Sequence, residues 1–105
     1  MDVTISRMRK VFAVIRSRGD AWQTSLPLEG QAEWSPHAAF MNDLHRDGFV
    51  VLGGPLEETI DVLLIVRAQS EEEITGRFAQ DPWTPMDLLR ITRIDPWNLR
   101  LGILP

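Results

Sequence analysis

The stretch "FVVLGGPLEETIDVLLIVRA", residues 49–68, holds two apolar runs around a short polar segment. "FVVLGGPLE" (49–57) reads as a strand interrupted by Gly-Gly-Pro, "EETID" as a turn, and "DVLLIVRA" (61–68) as a second strand. The spacing predicts that the two strands pair as a hairpin. The second run is apolar on both faces, with Val62, Leu64 and Val66 on one and Leu63 and Ile65 on the other. An antiparallel strand with one wet face usually alternates. Both faces of this strand are therefore expected to be covered, the second most simply by another subunit.

On the N-terminal side, "EWSPHAAFMNDL" (33–44) predicts a helix with Ser35 as N-cap and Pro36 at the first helical position. Phe40, Met41 and Leu44 recur at helical spacing, and "RDG" closes the helix at Gly48. Earlier, "KVFAVIRSRG" (10–19) is rich in Val, Ile and Phe and reads as a strand. The aperiodic segment 20–33 between them is a loop long enough to be a lid or a partner contact. On the C-terminal side, "SEEEITGRFA" (70–79) opens with a capping box, Ser70 with Glu73, and turns Ile74, Phe78 and the stem of Arg77 inward. "QDPWTPM" (80–86) is a stop, "DLLRITRI" (87–94) a last strand, and "DPWNLRLGILP" (95–105) a tail whose apolar residues need cover. Strand, helix, strand, strand, helix, strand is the split βαβ plan. The expected fold is α+β and ferredoxin-like, βαββαβ, with helices on one face of a four-stranded antiparallel sheet.

With 105 residues, 44% hydrophobic and 25% charged, the chain is expected to form one domain over residues 1–105. The net charge is −4, and the basic groups are not clustered: residues 1–50 carry six basic and six acidic groups, residues 51–105 five and nine. That balance argues against a nucleic-acid surface. The absence of cysteine excludes disulfides and thiolate metal sites. No apolar run reaches the ~18 residues of a membrane span. "MDVTISRMRK" lacks the apolar core of a secretory signal, so a cytoplasmic location with no membrane partner is expected. No histidine pair has metal-ligand spacing, and there is no phosphate loop, dinucleotide motif or Gly-x-Ser-x-Gly. Neither a metal nor a cofactor is expected.

His37 shares a helix face with Phe40 and Met41, so its ring points toward the core. A carboxylate within ~4–6 Å would outweigh the helix N-terminus and keep the ring ready to act as acid or base near neutrality. Satisfied instead by a backbone carbonyl, it would be an ordinary core histidine. Asp81, in "DPW", is the candidate partner. Asp-Pro is equally a turn or cap signature, and a cap spends one carboxylate oxygen and leaves the other. Arg16 and Arg18 share a strand face with Phe12 and Val14; they either grip an anionic substrate group or pair with acids. Gly53 and Gly54 either leave room for a ligand or mark a bulge. Trp22, Trp34, Trp83 and Trp97 belong to core or interface, with Trp83 also a candidate substrate wall. His45 sits among charged neighbours and reads as solvated.

In order, "VFAVIRSRG", "PHAAFMNDL", "GFVVLGGPL", "DVLLIV" and "DPWTPMDLLRI" resemble the YCII-related (YciI-like) domain family. The resemblance runs from about Met8 to Leu101 and makes residues 1–7 an N-terminal extension. It implies a ferredoxin-like fold that dimerises into an α+β barrel, similar to muconolactone isomerase. It also implies that His37 and Asp81 are the active-site pair. A dehydrochlorinase acting on a chlorinated hydroxyquinol belongs to that family, and other members resemble accessory proteins found with sigma factors. Many members carry an arginine shortly before the histidine, where this chain has "EWSPH". Two functions are expected on these grounds. One is a cofactor-independent lyase- or isomerase-type enzyme acting on a small cyclic or aromatic organic acid or phenol. His37 would move the proton, Asp81 orient the ring, Arg16 or Arg18 hold an anionic group, and Gly53 and Gly54 leave room. The other is a non-catalytic dimeric small-molecule-binding or regulatory module. Both expect a homodimer.

Overall fold

The computed structural model describes residues 9–105, so the extension expected over residues 1–7 lies outside the described residues. Four strands, β1 (Lys10–Arg18), β2 (Val50–Pro55), β3 (Asp61–Ala68) and β4 (Leu89–Pro96), form one antiparallel sheet in the order β2-β3-β1-β4. Helix α1 (Trp34–Arg46) joins β1 to β2, and helix α2 (Glu71–Phe78) joins β3 to β4. Each helix therefore crosses over a strand of the other βαβ unit, which is the ferredoxin-like plan. A single 3-10 turn, Leu28–Gly30, lies within the 20–33 loop. Leu44 of α1 and Ile74 and Phe78 of α2 pack in one cluster with Phe12, Val14, Leu64 and Val66, so both helices cover the same sheet face.

The β2–β3 hairpin forms as expected, but Gly-Gly-Pro does not interrupt it. Gly53 pairs with Leu64, Gly54 with Leu63 and Pro55 with Val62. The irregularity falls two residues earlier, between Val50 and Leu52. On the sheet face away from the helices, Ile65 is buried and Leu63 half-buried, while Leu52, opposite Ile65, is 48% exposed. Among the described residues no helix covers that face.

The start of α1 corrects the expectation of a Ser35 cap. The helix begins at Trp34, after Glu33 in the left-handed region (φ 58°) with no side-chain cap bond. Ser35 and Pro36 are its second and third residues. Pro36 is tolerated because first-turn N–H groups have no partner inside a helix. His37 is the fourth residue and its N–H donates to the Glu33 carbonyl at 3.1 Å. The other end matches expectation: Gly48 has φ 79°, its N–H donates to His45 O, and Phe49 N–H donates to Leu44 O. That double bond is a Schellman ending.

At α2, Ser70 Oγ accepts from Glu73 N–H at 3.1 Å, while the Glu73 carboxylate accepts from Gln69 N–H at 2.7 Å. The last strand starts at Leu89 rather than Asp87 and runs on to Pro96. Asp87 instead sits in the left-handed region (φ 57°) and closes the preceding turn, accepting from Arg90 and from Asp20 N–H. Beyond β4, Leu101 and Ile103 remain almost fully exposed, without cover from the described residues.

Candidate functional site

Asp81 lies in the turn that ends α2. Its N–H donates to Phe78 O, its carbonyl accepts from Thr84 N–H, and its Oδ1 accepts from Trp83 N–H at 2.9 Å. Pro82 presets the backbone between them, an Asx turn. The turn buries the Asp81 side chain completely and aims it at β1. There Arg16 Nη1 donates to Oδ2 at 2.7 Å. His37 Nδ1 approaches from α1 to 2.9 Å from Oδ2 and 3.0 Å from Oδ1. Three elements thus meet on one carboxylate.

Burial pushes the Asp81 carboxyl up, but hydrogen bonds from His37, Trp83 N–H and Arg16 outweigh it and hold it below the usual carboxylate range. Burial pulls the Arg16 guanidinium down against the opposing pull of Asp81. Arg16 Nη2 donates to Thr84 Oγ1 at 3.1 Å, and the guanidinium lies 4.9 Å from the centre of the Phe78 ring. Arg16 Nε, by contrast, is buried with no hydrogen-bond partner among the described residues.

An ionised carboxylate only accepts, so His37 Nδ1 carries a hydrogen and donates to it. The other nitrogen, Nε2, is then an acceptor in the neutral ring and a donor in the charged one. His37 is 7% exposed, and its side-chain hydrogen bonds among the described residues run through Nδ1 alone. The ring is also fixed face-on. It stacks on Trp83 with centroids 3.7 Å apart and planes 5° from parallel. Trp83 is fully buried and donates its indole N–H to Ala32 O at 2.6 Å. Trp34 tilts against both rings, and Trp22 meets Trp83 edge-on.

A cavity of about 260 Å³ opens beside this pair. Arg16, His37, Trp34 and Met41 line it together with Val50, Leu64, Gly53 and Gly54 of the hairpin, and no acidic side chain among the described residues does. A Cβ at Gly53 would come within 2.5 Å of a Leu64 methyl, so the bare backbone keeps that wall thin. Of the residues singled out from sequence, the structure brings together His37, Asp81, Arg16, Gly53 and Gly54. Arg18 lies apart, half-buried and stacked 4.5 Å over Trp22. Trp83 stands behind the histidine ring rather than on the cavity wall. Asn42 and His45 also line the cavity. His45 is solvated, as expected, but it continues the four-residue spacing of His37 and Met41, a signal present in the sequence.

Among the described residues no group of three or more His, Cys, Asp or Glu is placed to hold a metal ion. None of their helices is long and apolar enough to cross a membrane. No family model, curated protein or solved structure matches the chain.

Proposed function

We propose that this chain is a small cofactor-independent enzyme of lyase or isomerase type, related to the YCII-related family, with His37 and Asp81 as its acid–base pair. The observation that carries the reading is His37 itself: Nδ1 is anchored on a buried carboxylate, Nε2 has no hydrogen bond among the described residues, and the residue lines a cavity. In the neutral ring Nε2 takes a proton from a C–H bond of a cyclic or aromatic acid or phenol. Asp81 stabilises the imidazolium that forms, and Trp83 keeps the ring plane fixed. The C–H electron pair then either shifts along the ligand, with the proton returned elsewhere, or expels a leaving group as a double bond forms. Arg16 holds Asp81 ionised and closes one wall of the cavity, its charge balanced by Asp81. The open sheet face supports a homodimer, and the composition supports a cytoplasmic location.

The test is a panel of aromatic and cyclic organic acids and phenols, followed by NMR for substrate loss or C–H exchange in deuterated water. Turnover of a panel member is expected, with His37→Gln about 100-fold slower or worse. Turnover unchanged in His37→Gln overturns the assignment. Binding with no turnover of any member moves the protein to the second reading, a non-catalytic dimeric binding or regulatory module. The complete burial of the Arg16–Asp81 pair suits that reading equally.

A further inference from the structure

Residues 97–105 form an arm beyond β4, and both of its ends touch the chain's own sheet. Trp97 N–H donates to Val11 O at 2.8 Å, and the Pro105 carbonyl oxygen accepts from Arg67 Nη2 at 3.5 Å. Between these ends Leu99, Leu101 and Ile103 alternate with Asn98, Arg100 and Gly102. Leu101 is 89% and Ile103 96% exposed, so the crest of the arm stands clear of its own sheet. Large apolar side chains held out in this way are stabilised once another surface covers them. Beside the arm, the open sheet face carries a groove of about 200 Å³. Ala13, Leu63, Ile65, Pro96 and Trp97 line it, and Asp95 is its one charged residue among the described residues. The one charged side chain of the arm is Arg100. Among the described residues the side-chain bond of Asp95, to Arg93, runs through Oδ2 alone.

We infer that a second copy of this chain fills the groove by exchange of arms: Leu101 and Ile103 of one protomer enter the groove of its partner, and Arg100 lies beside the partner's Asp95. An apolar crest and an apolar groove of opposite charge on one chain are self-complementary. A twofold axis lets each protomer give one arm and receive one, which closes the assembly at two. This rests on the homodimer reading and names the segment that holds the dimer together.

The test is the variant Leu101→Asp with Ile103→Asp, followed by sedimentation over a range of concentrations. Both side chains are exposed, so unfolding of the variant's monomer is expected to be unchanged. The dimer dissociation constant is expected to rise about 100-fold or more, the worth of two apolar side chains returned to water. In dimers mixed from carbon-13-labelled and unlabelled protein, filtered NMR is expected to show contacts between protomers from the Leu101 and Ile103 methyls to those of Leu63 and Ile65. A variant that dimerises as tightly as the unaltered protein overturns the exchange and leaves the homodimer standing, as does a dimer without those contacts. An unaltered protein that is monomeric at micromolar concentration overturns both.

Discussion

At Asp81 two carboxylate oxygens serve a guanidinium, an imidazole and a backbone N–H, all away from solvent. Breaking such a buried arrangement from one side leaves unpaired polar groups, at a cost of about 3–5 kcal/mol. Asp81→Asn is expected to lose stability of that order, read by urea unfolding. Because the folded protein binds the Asp81 proton less readily than the unfolded chain, this stability is present above about pH 4 and drains away on further acidification. Stability measured against pH should therefore fall more steeply below pH ~4 in the unaltered protein than in Asp81→Asn. His37 was legible at this scale, because helical spacing alone turned its ring inward. The role of Arg16 was not. A strand position says which face an arginine occupies, but its acid lies 65 positions away and comes to it only through the fold.

Element identities were legible and element ends were less so. The hairpin and both helices follow from apolar period and turn chemistry, yet α1 starts one residue before the expected cap, because Glu33 takes up the left-handed turn. Ser35 therefore caps nothing, whereas Ser70 does. Ser70→Ala is expected to cost about 1 kcal/mol and Ser35→Ala within about 0.5 kcal/mol, measured by thermal or urea unfolding. The adjacent glycines of β2 separate in the same way. Gly53→Ala drives a methyl against Leu64 and is expected to destabilise, by about 1–3 kcal/mol if the site cannot relax. Gly54→Ala meets open space and is expected to be neutral or slightly stabilising. Equal effects at both positions would show that the tight approach of Leu64 is not what holds Gly53.

For the whole molecule, the apolar character of β3 on both faces pointed to two coverings, and the described residues supply helices for only one. Leu52 is exposed on the other face, so Leu52→Lys leaves the core undisturbed. Sedimentation at micromolar concentration is expected to give a dimer for the unaltered protein and a monomer for Leu52→Lys. A monomer in both would remove the dimer proposal.

The interleaved sheet has one more outcome. Arg16 and His37 belong to the first βαβ unit, Asp81 and Trp83 to the second, and β1 lies between β3 and β4. The pair is thus a seam between halves. Closing a loop of that length comes late in folding, because its entropy must be met before the contact stabilises anything. A growing or half-folded chain holds the histidine without its carboxylate, so the His37–Asp81 pair forms only once the second half has docked.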